Sequence, residues 1–281
     1  MSKRFVLTLT LLALTCASVA QDARQPQPRA VDPAAEAAAL QAQRDKALPS
    51  QAATSTCSYT FTTGTGQNYL QSCVTVNGNI VEFQSPKGIE SIRIGAYGEG
   101  YGVCDASTST NYYDYADYGD SGNWLAPTTV SSSPTSVKIV RTTSDGVWTL
   151  TQIITQTAGT ATVKVTMTLK NNTAIARQAW LTRWVDVDAD NTPLNNLDNT
   201  ILTSDGWTSN GYGLQMQNVA PWNYLWNALI FNTFEPPRNV CNPGYASGPL
   251  TATDGSMSLQ YLFATVKQGG SVTVNLTYHT F

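Results

Sequence analysis

Val163-Lys164-Val165-Thr166-Met167-Thr168-Leu169-Lys170 decides the fold class. Apolar residues fill every odd position, and Lys or Thr fills every even one. Successive side chains of a strand point to opposite faces, so this run has one buried and one wet face. A helix would need apolar residues three and four apart, which the run lacks. One-sided strands are the mark of antiparallel sheets, since parallel sheets are covered on both faces. Working outward, Ser136–Arg141 and Val147–Thr155 read as the strands before it, and Ala161–Lys170 completes a meander. Asn171-Asn172-Thr173 then turns the chain into a long strand from Ala174 to about Val187. The chain ends on an expected hairpin: Met257–Val266, a Lys267-Gln268-Gly269-Gly270 turn and Ser271–Thr280. Upstream, Asn77-Gly78 between Gln71–Val76 and Asn79–Phe83 predicts a hairpin with a type I′ turn, because Asn and Gly accept positive φ. No long segment after residue 57 has a helical period, and no internal repeat is present. The expected fold is all-β: a large antiparallel β-sandwich, bigger than a seven-strand immunoglobulin-type domain.

Composition narrows the class further. Charged residues make up only 12% of the 281, beside 7 Trp, 13 Tyr and a single His. A disordered chain would be poorer in aromatics and richer in charge. A nucleic-acid binder would be basic, whereas the formal net charge is −3.

The N-terminus reads as an export signal. Lys3 and Arg4 precede a mostly apolar run, Phe5–Ala17, and small residues Ser18-Val19-Ala20 mark a cleavage point before Gln21. The run is too short to span a bilayer comfortably, and no later stretch is long enough. Leu14-Thr15 ahead of Cys16 match a lipobox poorly, so a secreted or periplasmic product is expected, a lipoprotein being the alternative. Residues 21–56 carry Pro26, Pro28, Pro33 and Pro49 around an Ala-rich stretch. They read as a flexible linker with a short helix near Pro33–Leu48, a propeptide being the alternative. Residues 57–281 then form one β-sandwich domain.

Four cysteines follow the signal: Cys57, Cys73, Cys104 and Cys241. An even count in an exported chain predicts two disulfides, with three pairings open. Cys57 and Cys73 flank a strand–turn–strand run, Tyr59–Leu70, and so fit neighbouring strands. Cys104 is then left to Cys241. A zinc site is not expected, since no Cys pair has metal spacing and the only His is His279.

Three constellations could carry chemistry. In the first, Asp186 and Asp188 share a strand face, and Asp190 and Asn191 follow where the strand gives way to a loop. Such close carboxylates repel unless a cation or hydrogen bonds compensate. D-x-D-x-D-N resembles the start of a calcium loop, so Ca²⁺ is the expected ion. Asn191 stands where an EF-hand has Gly and Leu197 where it has Glu. The competing reading is a solvated acidic strand end.

The second constellation reads the acids as catalytic. Two positioned carboxylates can hydrolyse a glycosidic bond, and the candidates are Glu99, Asp186, Asp188 and Glu235. Trp180 and Trp184 lie on the face of Asp186 and Asp188, and indole rings cover the apolar faces of sugars. In a sheet the commoner fate of such rings is the core. The third is Gly95–Trp124, where Tyr113, Tyr115 and Trp124 sit among glycines and aspartates. That mixture suits an exposed recognition loop, or else a long loop packed onto the sandwich edge. A Ser/His/Asp triad would have to use His279, and no G-x-S-x-G or phosphate loop is present.

Val74–Ile80, Ser85-Pro86, Gly98–Cys104 and Arg183–Asp188 together resemble a group of exported bacterial β-rich proteins with no assigned activity. The resemblance implies export and a single fold, and it transfers no site residue. The expected function is therefore non-catalytic recognition of a carbohydrate or cell-surface polymer, through Tyr113, Tyr115, Trp124, Trp180 and Trp184. The alternatives are a carbohydrate-active enzyme with a carboxylate pair, and a structural envelope or matrix protein. Nucleic acid is not an expected partner.

Overall fold

The computed structural model describes residues 56–281 except Gly95 and 221–223, with only the backbone of 93–97. The readings of a signal, linker and short helix lie outside the described residues. In chain order the strands are β1 (Tyr59–Thr63), β2 (Leu70–Val74), β3 (Ile80–Gln84), β4 (Arg93–Ile94), β5 (Ala96–Tyr97), β6 (Glu99–Asp105), β7 (Thr110–Asp114), β8 (Thr128–Ser133), β9 (Ser136–Thr142) and β10 (Trp148–Thr157). They continue as β11 (Thr162–Asn171), β12 (Arg177–Asp186), β13 (Leu194–Asn199), β14 (Thr203–Trp207), β15 (Gly213–Val219), β16 (Leu225–Phe231), β17 (Leu250–Asp254), β18 (Ser256–Val266) and β19 (Ser271–Thr280). Among the described residues there is no α-helix, and the pairings that build the sheets are antiparallel.

A nine-stranded sheet, ordered β17-β13-β14-β15-β19-β11-β10-β9-β8, packs on a five-stranded sheet, ordered β16-β18-β12-β6-β7. The expected sandwich is therefore the observed fold. Val163, Val165, Met167 and Leu169 point into it, as the alternation requires, together with Trp148, Leu150 and Leu276. From the smaller sheet they meet Tyr101, Val103, Leu181, Val185 and Leu259. A three-stranded sheet, β1-β2-β3, closes one side. There Ser72 and the Leu70 carbonyl bind the buried side chain of Gln156, at 2.6 and 2.8 Å.

Two turns depart from expectation. Asn77-Gly78 is not a two-residue type I′ turn. Gly78 N–H donates to the Thr75 carbonyl at 3.1 Å, and Gly78 alone takes positive φ, 94°. A pairing shift between Cys73 and Val74 fits the longer loop with an extra residue on one side. The reason is placement: Asn77 and Asn79 are buried, so the loop tip is a plug inside the sandwich. The closing hairpin is the second departure. β18 pairs with β12 and β16, while β19 pairs with β11 and β15, so Lys267–Gly270 crosses between the sheets. Asn171–Thr173 crosses beside it. Asn171 Nδ2 donates to the carbonyls of Val266 and Lys267, at 3.1 and 3.3 Å, and ties the two crossings together.

The interior also holds charge. Arg183, fully buried on β12, binds both Glu99 carboxylate oxygens, the Gln152 amide at 2.5 Å and the Gly78 carbonyl at 3.0 Å. Glu99 accepts two further bonds, from Ile80 N–H at 2.6 Å and Tyr278 OH at 2.7 Å. Arg141 pairs with Asp114 at 2.5 Å, and Asn77 Nδ2 donates to the same oxygen at 2.9 Å. A buried ion pair adds little net stability, because desolvation opposes the Coulomb gain. Every donor here that meets the plug does specify where it sits.

Both cysteine pairs form as expected, Cys57–Cys73 and Cys104–Cys241.

Candidate functional site

The outward face of the five-stranded sheet is where unspent polar groups gather. On β12 the odd residues enter the sandwich, so Trp180, Thr182, Trp184 and Asp186 face away from it. Pairing sets rows across this face. Leu225, Leu262, Trp180 and Cys104 form one, and Asn227, Gln260, Thr182 and Gly102 the next. Leu229, Ser258, Trp184 and Gly100 follow, then Phe231, Ser256 and Asp186.

Two loops cover the rows unequally. The 115–118 loop lies directly on β6, which is possible because β6 carries glycine on its outward side. A Cβ on Gly100 would stand 1.9 Å from the Asp114 carbonyl, and one on Gly102 2.9 Å from Tyr115 Oη. These glycines serve close approach within a strand. Under that loop Trp184 and Tyr115 are fully buried, with rings edge-on at 5.4 Å. Leu229 and Phe231 complete a second small core. Tyr113 is half-buried and stacks on Tyr115. Trp124 is buried in the main core against Tyr101 and Tyr112. Tyr115, Trp124 and Trp184 are thus packing residues and present no ring to a ligand, which corrects three of the five expected recognition residues.

The second loop, 232–249, arches over the first two rows and leaves a cleft of about 440 Å³. Its course is pinned at several points. Tyr115 OH donates to the Pro237 carbonyl, Val240 N–H to Asn111 Oδ1, and Cys241 is bonded to Cys104 on β6. Ala246 N–H donates to the Ile230 carbonyl at 2.8 Å. The floor is Trp180, Asn227, Ala228, Leu229 and Gln260; the walls are Asn199 and 241–248, including Asn242 and the 68% exposed Tyr245.

The hydrogen bonds of this lining are half used. Gln260 gives its amide N–H to Val240 and Asn199 gives its own to Ala228, so both are held with an oxygen left over. Among the described residues, Asn227, Asn242 and the Trp180 indole N–H find no side-chain hydrogen-bond partner. Of the expected recognition residues, Trp180 alone lines the cleft. Its partners were missed, because neutral amides scattered over three strands and a loop carry no periodic signal.

The acids lie elsewhere. Glu99 is buried in the Arg183 network, and burial pushes its carboxyl above the ordinary range against the opposing pull of Arg183. It touches no open surface. Asp186 is buried below the 115–118 loop, with Tyr118 OH donating to Oδ2 at 2.8 Å and Oδ1 left without a partner. Burial, then the charge of Asp188, pushes Asp186 up to about 8. Asp188 is buried too, its backbone N–H donating to Ser91. Glu235 is half-buried on the covering loop. Glu90 had escaped notice. Its Oε1 accepts three backbone N–H bonds while its buried Oε2 has no partner, and burial pushes it up to about 7.

Asp190 and Asn191 do curl, with φ of 59° and 55°. Their side chains part company: Asp190 accepts from Asn210 at 2.6 Å, and Asn191 turns back to Glu90 N–H and the Gly88 carbonyl. The oxygens expected to converge on Ca²⁺ thus go to separate partners. Among the described residues no group of three His, Cys, Asp or Glu side chains is arranged to hold a metal ion.

The fold and site define a two-sheet antiparallel sandwich with an amide-and-aromatic cleft on the outer face of its smaller sheet. No protein-family model and no curated protein sequence matches the chain. Among solved structures, a bacterial glucoamylase complexed with acarbose matches with a TM-score of 0.55 at 9% identity, over 80% of this chain and 32% of that one. The chain thus spans about a third of the glucoamylase. A GalM/aldose epimerase homologue from C. elegans matches at 0.49 and 9% identity, over 80% of this chain and 99% of that one. A putative aldose 1-epimerase from Escherichia coli K12 matches at 0.44 and 13%, over 79% and 99%. At such identities the glucoamylase likeness is one of fold.

Proposed function

We propose that the protein is an exported carbohydrate-recognition module whose site is the cleft beside Trp180. One observation carries this reading: a half-exposed indole stands among amides, two of which, Gln260 and Asn199, are fixed in place with an accepting oxygen left over. Sugars ask for that combination, since their ring faces are apolar and their rims are hydroxyls. The pinned loop presents these groups without an ordering cost at binding. The fold-sharing glucoamylase was solved complexed with acarbose, and a carbohydrate ligand is proposed for this chain partly on that footing. Export fits two disulfides, which persist in oxidising compartments, and no described helix is long and apolar enough to cross a membrane.

The test is retention on a panel of immobilised polysaccharides. Wild type should be retained on at least one, and Trp180→Ala should lose that retention with its circular dichroism unchanged. Retention that survives Trp180→Ala moves the site elsewhere and overturns the reading.

A second reading rests on Asp186, a carboxyl pushed up to about 8 with one unpartnered oxygen. That is the state of a general acid at neutral pH. It predicts release of reducing ends from a bound glycan, abolished by Asp186→Asn; intact glycan after prolonged incubation removes it.

A further inference from the structure

We infer that the cleft beside Trp180 takes an uncharged glycan and rejects uronate-, sulfate- and phosphate-bearing polymers; the inference rests on the recognition reading above. Its basis is an absence of charge far wider than the pocket. Between Gly206 and Val266 the only charged residues are Glu235, Arg238 and Asp254. That span supplies β14 from its fourth residue, all of β15, β16, β17 and β18, and the covering loop. Of the three exceptions, none is among the described residues lining the cleft. The remaining lining residues, Trp180 and Asn199, are neutral as well.

The chemistry follows from what an anion would need. Bound carboxylates and sulfates are held by Arg or Lys, because removing their water without a counter-charge is costly. Both guanidiniums of the floor strand β12 are already engaged, Arg177 with Asp105 at 2.5 Å and Arg183 with Glu99. A cationic amino sugar would likewise find no carboxylate. A neutral sugar asks for less. Its hydroxyls can donate to the held oxygens of Gln260 and Asn199 and accept from Asn227 and the Trp180 indole. Its apolar face suits the Trp180 ring, and the row beside it continues as Leu262 and the 70% exposed Leu225. An apolar ledge of that kind accommodates a following sugar and repels hydrated ions.

Affinity electrophoresis through gels containing soluble starch, dextran, galactomannan, xyloglucan, alginate, polygalacturonate, heparin or chitosan tests this. Retardation is expected with one or more of the four neutral polymers and with none of the charged four. For the retarding polymer, affinity should hold within about twofold from about 0.05 M to about 0.5 M NaCl, since screening acts on ionic contacts. Retardation by a charged polymer that salt weakens and Trp180→Ala abolishes would overturn the neutral-glycan inference while leaving recognition at the cleft intact. Retardation by none of the eight would overturn recognition and the inference together.

Discussion

Both faces of β12 carry polar groups, Arg183 inward and Trp180 outward, and put them to opposite uses. Inward, Arg183 spends its hydrogen-bonding capacity on Glu99, Gln152 and Gly78. Outward, three residues away, Trp180 leaves its indole N–H unspent beside amides that are also partly unspent. The inner polar groups are saturated and fix how the plug and the sheets meet. The outer ones are oriented and incomplete. A satisfied network offers nothing to a ligand, whereas a half-satisfied and pinned one does. The Arg183–Glu99 pair lies where nothing can reach it, and the described lining of the reachable cleft carries no charge.

Breaking the inner face should have the largest effect. Glu99→Gln leaves Arg183 buried without its counter-charge, which costs up to about 5 kcal/mol and most of the stability of an ordinary domain. Urea unfolding reads this directly; a loss below about 1 kcal/mol would mean that water reaches the pair. Next comes the tie between β6 and the covering loop. Replacing Cys104 and Cys241 with Ala removes a cross-link 137 residues apart, at about 5 kcal/mol in the loop-entropy account. Glycan retention should fall further than stability alone explains, because the cleft loses its fixed wall; retention unchanged in the folded fraction would show that the wall is dispensable.

The outer face divides into a covered and an open half, and two tryptophans on one strand measure the division. Trp184→Ala should cost about 3 kcal/mol or more through the cavity it leaves. Trp180→Ala should cost under about 1 kcal/mol and lose binding instead. Equal destabilisation by both would erase the distinction.

The last effect is one of pH. Asp186 sits near 8 in the fold against an ordinary 3.8. Between those values the folded chain holds a proton that the unfolded chain has released, so stability falls as pH rises through this window. Glu90, pushed up to about 7, adds to the same slope. Asp186→Asn should leave stability at pH 4 unchanged and raise it progressively toward pH 8. A variant curve parallel to wild type across the window would contradict the assignment.

Much of the frame was legible in local pattern. β10, β11 and β12 follow from alternation, and Cys57–Cys73 from the strands its cysteines flank. What alternation cannot say is which sheet a strand joins. Lys267–Gly270 suits a hairpin as well as a crossing, and only the pairing of β19 with β11 and β15 separates the two. The tryptophans teach the same lesson. Trp180 and Trp184 share a strand and a face, and their different fates are set by loops 115–118 and 232–249, distant in sequence. Glu99 read as a candidate acid because its partner Arg183 lies 84 residues away. Nor does the sequence of β6 say that its glycines let the Tyr115 loop lie flat on the sheet.

A crystal structure of the protein soaked with an oligosaccharide of the retarding polymer tests the central claim most directly. The account predicts a sugar ring stacked on Trp180, with hydroxyls bonded to Asn227 and Gln260 Oε1 and no change in the Arg183–Glu99 network. A sugar seated instead against Tyr118, Phe234 and Asp186, with the Trp180 cleft filled only by water, would contradict it.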